Sequence, residues 1–136
     1  MTTAQDLQTL HVEHLGDDRF EIVVRGHRVL VDQPLEAHGG DRGPTPTELF
    51  VASLASCVAF YARRYLRRHG LPEQGLAVST DYAMASGPAR VGSLRIRIDL
   101  PDGVPEERRA ALLGFASHCT VHNSITREPE IVVELG

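Results

Sequence analysis

Two cysteines are the residues of this chain best suited to chemistry. Cys57 and Cys119 are the only cysteines among its 136 residues, and each lies beside polar or basic residues. In a reducing compartment a lone pair of cysteines is more often catalytic, redox-sensing or metal-binding than a permanent bridge. Their wide separation excludes a C-x-x-C redox motif, so the two thiols must meet through tertiary structure. Two-thiol chemistry is therefore the first hypothesis, although a thiol that merely packs is the default for either residue alone.

A long helix is predicted to carry Cys57. Thr45 is suited to cap its start, Pro46 to occupy the first helical position, and Glu48 to close a capping box. Cys57 then lies about 16 Å along the helix from Pro46, beyond the first turn in which the helix dipole acts. The dipole therefore does not activate this thiol.

The same helix is expected to end near His69, because Gly70 can supply a left-handed C-cap and Pro72 prevents continuation. Its first half, residues 49–60, is nearly apolar all round, whereas its end carries four arginines. We therefore expect the first half to be buried and the end to be solvated.

The remaining pattern predicts strands and one further helix. The second helix begins at Pro105 with acidic residues in its first turn and ends near Cys119. Alternating and β-branched stretches predict strands over residues 10–15, 19–25, 27–31, 76–85, 93–100 and 131–135, with a glycine-rich loop over residues 37–44. This order predicts an α+β fold and not a doubly wound sheet.

Length and composition restrict the number of domains, the partners and the cellular location that we expect. A chain of 136 residues is close to the commonest domain size, so we expect one domain over residues 1–136. The formal net charge of −4 gives no general attraction to nucleic acid. We also expect no membrane partner, because the first residues lack a signal-peptide pattern and no stretch reaches about 18 consecutive apolar residues. A cytoplasmic location follows as an expectation.

Two separated motifs resemble the OsmC/Ohr superfamily of thiol-dependent hydroperoxide reductases. The resemblance spans essentially the whole chain in the right order, which is harder to meet by chance than a single motif. It is carried by Asp32-Gln33-Pro34, Gly39-Gly40-Asp41, Gly43-Pro44-Thr45-Pro46-Thr47-Glu48-Leu49, Ala52-Ser53-Leu54-Ala55-Ser56-Cys57 and Cys119-Thr120-Val121-His122-Asn123-Ser124.

The resemblance implies an OsmC-like α+β fold, with antiparallel sheets around two main helices, in an intertwined homodimer that has active sites at the subunit interface. It also implies that Cys57 is the peroxidatic cysteine and Cys119 the resolving cysteine. Peroxide attack on a thiolate gives a sulfenic acid, which a second thiol converts to a disulfide. An external dithiol, of lipoyl type by resemblance, must then reduce the disulfide, and no cofactor or metal is implied.

The Cys57 thiolate needs a positive charge nearby, since a free thiol has a pKa of roughly 8.5. The resemblance implies an arginine held by the glutamate that maps to Glu48. Arg19, in the first hairpin, and Arg42, in the glycine-rich loop, are the two candidates. Glu48 lies on the opposite helix face from Cys57 and roughly 13 Å away along the axis, so we expect it to act on an arginine beside the partner subunit's thiol. The alternative role of Glu48 is the capping box alone.

Other residues offer weaker alternatives. Cys119 and His122, with His118 nearby, could supply metal ligands, but a closed zinc site needs about four. The same two histidines follow a predicted helix end, where a capping role is usual, although proton transfer to Cys119 is conceivable. The arginine cluster at the end of the long helix fits either a solvated terminus or an acidic partner.

Three classes of function remain open from the sequence. The first is a cysteine peroxidase for organic or lipid hydroperoxides, with apolar walls from Phe50, Leu54, Phe60 and Tyr61. The second is a redox sensor that uses the same thiols without turnover. The third is a small-molecule-binding or structural dimer whose cysteines no longer react.

Overall fold

The computed structural model describes residues 7–136, which form an N-terminal unit over residues 7–49 and a C-terminal unit over Phe50–Gly136. The order of elements confirms an α+β fold built from antiparallel strands. The elements are the strands β1 (His11–Gly16), β2 (Arg19–Val24), β3 (His27–Val31), β4 (Ala77–Ala85) and β5 (Arg90–Asp99), and the helices α1 (Pro46–Arg68), α2 (Arg109–Ala116) and α3 (Thr120–Thr126).

The N-terminal unit contains a three-stranded antiparallel meander in the order β1-β2-β3. Strands β2 and β3 pair with Phe20 opposite Val31 and Val24 opposite His27. This register leaves a two-residue turn at Arg25 and Gly26. Both turn residues have positive φ, at 48° and 84°, as a tight primed hairpin turn requires. The predicted meander is therefore confirmed.

The glycine-rich loop after β3 is packed and not merely flexible. A Cβ atom on Gly39 would overlap the carbonyl oxygen of Gln33, and one on Gly43 would overlap that of Leu30. Main-chain hydrogen bonds close the loop, from Asp41 N to Gln33 O at 2.9 Å and from Asp32 N to Pro44 O at 3.2 Å. These two glycines are required because backbone approaches backbone at each position.

The caps of α1 follow the sequence prediction closely. Glu48 N donates to Thr45 Oγ1 at 3.0 Å, and Thr45 N donates to Glu48 Oε1 at 2.8 Å, which forms the reciprocal capping box. At the other end Gly70 has φ of 62°, and Leu71 N donates to Leu66 O at 2.9 Å. This left-handed ending confirms the predicted C-cap.

Burial along α1 differs from the prediction. One stripe is buried from end to end, and it consists of Val51, Leu54, Val58, Ala62, Tyr65 and Leu66. The first half is not buried all round, since Phe50 is 40% exposed and Phe60 is 64% exposed. Within a single chain only the side facing the core is covered, so the expectation of a fully buried first half is wrong for that chain.

The length of α1 must be compared with the expectation that the protein has no membrane partner. Among the described residues, α1 is one helix long and apolar enough to span a membrane by length and composition, with a mean hydropathy of 1.2 over 18 residues. The core helix of a globular protein meets the same criteria, and the buried stripe of α1 packs against the rest of the C-terminal unit. We therefore describe α1 as a core helix.

The C-terminal unit packs α1 against the β4–β5 hairpin and α2. Alternate residues of β5 are half-buried toward this core, namely Leu94, Ile96 and Ile98, while the intervening arginines face outward. Leu66, Leu112 and Ala116 lie at the centre, with at most 2% of each residue exposed. This core positions the second cysteine, Cys119, which is completely buried.

One prediction about the C-terminal part is confirmed and one is wrong. The second helix ends near Cys119, at Ala116, and Cys119 is the N-cap of a further short helix, α3, which the sequence analysis did not predict. The predicted strand over residues 131–135 is absent, and Ile131, Val132, Val133 and Leu135 are 72–100% exposed in irregular backbone. A strand needs a neighbour to satisfy its backbone, and within residues 7–136 no strand pairs with this segment.

The packed loop gives a matched pair of substitutions. Gly39→Ala should lower the free energy of unfolding by about 1–3 kcal/mol, because the new methyl group must displace main chain. Gly114→Ala makes the same chemical change inside α2, where nothing lies within 4 Å of a new Cβ, and should raise stability by about 0.5–1 kcal/mol. Chemical denaturation measures both. Equal effects of the two substitutions would contradict the packed loop.

Candidate functional site

The structure brings the two cysteines together in the core of the C-terminal unit. Cys119 belongs to the buried cluster around Leu66 and Leu112, and Cys57 packs against that cluster from α1. Both are free thiols, Cys57 partly buried and Cys119 fully buried. The tertiary meeting that two-thiol chemistry requires is therefore present, while the catalytic roles of the two residues stay predictions.

Their surroundings distinguish the two thiols electrostatically. Burial is the largest influence on Cys119 and raises its pKa above the ordinary thiol value, because the thiolate loses its hydration. The backbone N–H of His122 favours the thiolate and opposes this rise, whereas the neighbouring Cys57 thiol adds to it. Cys119 therefore stays protonated at neutral pH and is shielded from solvent, while Cys57 is the more exposed residue.

Cys119 also has a structural role as the N-cap of α3. Its Sγ accepts a hydrogen bond from the backbone N–H of His122 at 3.5 Å. The ring of His122 donates from Nδ1 to Ser117 O at 2.6 Å, since a carbonyl oxygen can only accept. His118 Nδ1 bonds Gly114 O at 2.8 Å in the same way. Both histidines thus hold backbone at a helix boundary, which is the usual finding for such residues.

An apolar cavity lies beside α1 and β5 in the C-terminal unit. Its volume is about 480 Å³. Phe50 and Leu54 line it, whereas Phe60, Tyr61 and the two cysteines do not. Sequence analysis did not identify most of the residues that line the cavity, because strand β5 and helix α3 reach it only through tertiary packing. The further lining residues include Leu94, Ile96, Ile98, Leu113, Ser117, His122 and Ile125.

The two candidate arginines lie in the N-terminal unit, around one buried carboxylate. Asp32 is 1% exposed and accepts backbone hydrogen bonds from Gln33 at 2.7 Å, Arg42 at 3.1 Å and Gly40 at 3.3 Å. Burial acts to raise the pKa of Asp32, but these donors and the charge of Arg19 outweigh it and lower the pKa. Asp32 therefore orders the loop that carries Arg42 and attracts Arg19.

Glu48 is also in the N-terminal unit, where it closes the capping box of α1. The capping role is confirmed, and a role in orienting an arginine stays a prediction. Sequence analysis quoted Asp32 only as part of a motif. The signal that could have singled it out was an aspartate directly after the predicted strand over residues 27–31 and a few residues before the glycine-rich loop, whose backbone N–H groups can donate to it.

No metal centre is formed by the described residues. Within residues 7–136, no group of three or more histidine, cysteine, aspartate or glutamate side chains is placed to hold an ion. The alternative of a zinc site at Cys119 and His122 therefore gains no support from the geometry.

The comparisons with known proteins agree with this fold. The sequence profile of the OsmC-like protein family matches residues 38–134, which include both cysteines, Glu48 and Arg42. No curated protein matches the chain significantly in sequence.

Solved structures with a similar fold come from several bacteria. A protein from Psychrobacter arcticus, described as a candidate osmotic stress induced and detoxification response protein, has a TM-score of 0.80 at 24% identity, over 87% of this chain and 88% of that one. An OsmC-like protein from Mycoplasma pneumoniae has a TM-score of 0.75 at 14% identity, over 87% and 86%. An organic hydroperoxide resistance protein from Legionella pneumophila has a TM-score of 0.66 at 18% identity, over 88% and 90%.

The unequal surroundings of the two thiols predict unequal labelling by iodoacetamide. In Cys119→Ser the remaining Cys57 should react readily, whereas in Cys57→Ser the buried Cys119 should react at least tenfold more slowly at neutral pH. Because burial raises the pKa of Cys119, its labelling rate should keep rising with pH beyond the ordinary thiol value of roughly 8.5. Mass spectrometry of the labelled peptide gives both rates. A Cys119 rate that reaches its plateau at or below that pH would contradict the raised pKa.

Proposed function

Because the chain belongs to the OsmC-like protein family, we propose that it reduces organic hydroperoxides to alcohols, with Cys57 as the attacking thiol and Cys119 as the resolving thiol. The observation that carries this proposal is the pairing of two free thiols of unequal exposure in one apolar core. A solved structure that shares the fold is named as an organic hydroperoxide resistance protein.

The proposed reaction has two steps whose atoms balance. The Cys57 thiolate attacks the terminal oxygen of the hydroperoxide, the O–O bond breaks, and the alkoxide takes a proton to leave as the alcohol. The Cys119 sulfur then attacks the Cys57 sulfenic acid, the S–O bond breaks, and hydroxide leaves with the Cys119 proton as water. An external dithiol reduces the resulting disulfide.

Exposure and pKa support this assignment of roles. A substrate in solution reaches the partly exposed Cys57 more easily than the fully buried Cys119. The raised pKa of Cys119 keeps its proton available for the hydroxide that leaves in the second step. For the positive charge that the Cys57 thiolate needs, we retain Arg19 or Arg42, oriented by Glu48, as the resemblance implies.

The apolar cavity beside α1, which neither cysteine lines, is the site that we propose for the organic part of the substrate. Its wall is mostly aliphatic, and apolar surface favours an alkyl or acyl group over water. Both cysteines are free thiols, and the cycle needs them to return to that state, so we propose that the protein works in the reducing cytoplasm.

Turnover of cumene hydroperoxide in the presence of excess dithiol tests the proposal. The wild-type protein should consume many equivalents, and Cys57→Ser should reduce the rate to that of the dithiol alone. Cys119→Ser should still form a sulfenic acid on Cys57 that dimedone traps, but no intramolecular disulfide. Consumption of a single equivalent by the wild type would instead identify a stoichiometric redox sensor. If neither thiol reacts, the remaining function class is a structural or small-molecule-binding protein.

We also propose that the protein is a homodimer to which residues 131–135 contribute. Ile131, Val133 and Leu135 alternate as they would on one face of a strand, and they are 76%, 92% and 100% exposed. The two-stranded β4–β5 sheet has open edges that can pair with a further strand. Since no strand in the described part of the chain pairs with this segment, a second copy of the chain is the partner that we propose.

Light scattering after size exclusion tests the dimer. The wild type should have about twice the mass of one chain, and Ile131→Asp with Val133→Asp should shift it to the monomer, because charge on an apolar strand face prevents its burial. The matched control, Glu130→Gln with Glu134→Gln, changes the same segment but keeps its apolar face, and it should remain dimeric. A monomeric wild type, or a dimeric aspartate variant, would rule out the proposed contribution.

A further inference from the structure

A hydrogen bond joins the two cysteine-bearing elements next to the thiols. Tyr61 lies one helical turn after Cys57 on α1, so the two side chains project from the same face. Its hydroxyl lies 2.8 Å from Oγ1 of Thr120, the residue that follows Cys119. This bond therefore fixes the start of α3 to α1 beside both sulfurs.

The backbone before Cys119 is held as well. The His122 ring donates to Ser117 O, and Asn123 Nδ2 donates to His118 O at 3.3 Å. The Cys119 sulfur accepts a long hydrogen bond of 3.5 Å from His122 N and lies beside the Cys57 thiol. The main chain is thus fixed on both sides of the cysteine, while the sulfur can leave its cap by rotating about its own side-chain bond.

Packing holds the Tyr61 ring independently of its hydroxyl. The ring lies 5.3 Å from the Phe115 ring between centroids, and the Arg64 guanidinium lies 5.1 Å above the Tyr61 ring centroid. Both contacts involve the aromatic face, which phenylalanine would keep. Removing the hydroxyl alone therefore removes the link to Thr120 without opening a hole in the core.

We propose that Tyr61 is a positioning residue for closure of the Cys57–Cys119 disulfide, acting through Thr120. This inference rests on the proposed pairing of the two thiols. Closure needs the Cys119 sulfur within bonding reach of the Cys57 sulfur, and a fixed backbone at residue 120 reduces the movement to a side-chain rotation. Preorganisation of this kind raises the effective concentration of one group at the other.

Closure can be measured without any peroxide. Ellman's reagent converts Cys57 to a mixed disulfide and releases one thionitrobenzoate. The proton of the Cys57 thiol goes to solvent. The Cys119 sulfur then attacks the Cys57 sulfur, the mixed disulfide bond breaks, and a second thionitrobenzoate leaves while Cys119 loses its proton. The rate of the second release is the rate of closure, and its absence in Cys119→Ser identifies the attacking thiol.

In Tyr61→Phe the second release should slow by roughly threefold to tenfold, as expected for loss of one hydrogen bond of ordinary strength. The first release should not change, because Tyr61 takes no part in the attack by Cys57. The equilibrium between the dithiol and the disulfide forms, measured against a reference dithiol, should shift toward the dithiol by a similar factor.

Two controls separate positioning from general stability. Tyr65→Phe removes a hydroxyl from the next turn of α1, where the ring stacks on His69 at 4.2 Å, and should leave both releases unchanged. Thr120→Val removes the other half of the bond and should slow closure as much as Tyr61→Phe. The double variant should be no slower than either single variant, since the two residues act through one contact.

The outcomes distinguish this inference from the proposed function. An unchanged second release in Tyr61→Phe, or fully multiplicative effects in the double variant, would overturn the positioning role even if the protein reduces hydroperoxides. Slowed closure in Tyr61→Phe and Thr120→Val, with a normal first release, would establish it even if hydroperoxide is not turned over.

Discussion

Burial of the Cys119 thiol in the apolar core of the C-terminal unit is the constraint on which the proposed chemistry depends. Leu66, Leu112 and Ala116 exclude water from this sulfur, and that exclusion raises its pKa. The same packing places Cys57 against the cluster from the adjoining helix. The contacts that stabilise the unit therefore also make the two thiols unequal, so any change to this packing alters stability and thiol reactivity together.

The N-terminal unit is organised by a different kind of burial. Asp32 keeps its charge in a buried position because three backbone N–H groups and the charge of Arg19 replace the water that it loses. Those donors come from a loop that can approach only where glycine leaves room for backbone. The Asp32 carboxylate thus fixes the backbone of Arg42 and also attracts the charge of Arg19.

Local chemistry explains what the sequence predicted well. Thr45, Glu48 and Gly70 define the ends of α1 through contacts within a few residues, so both ends were predictable. The hairpins were predictable for the same reason, because strand alternation and turn residues are local signals. The family resemblance added the pairing of Cys57 with Cys119, which no local pattern could give.

Contacts between distant segments explain what was missed. The break between α2 and α3 depends on Cys119 capping a new helix, and the link from Tyr61 to Thr120 joins residues that are far apart in sequence. The donors to Asp32 are backbone N–H groups, which every residue except proline has and which therefore leave almost no signature in the sequence. Such features require the folded chain.

The errors at α1 and at residues 131–135 have a common physical cause. A helix half that is apolar all round and a segment with strand alternation are patterns of residues that are buried. In the single chain Phe50, Phe60 and the apolar residues of 131–135 remain exposed. A sequence is selected for the state in which it works, so its apolar pattern can reflect surfaces that only a partner covers. The mismatch between the pattern and the burial in one chain is therefore an argument for the proposed homodimer that does not depend on the family resemblance.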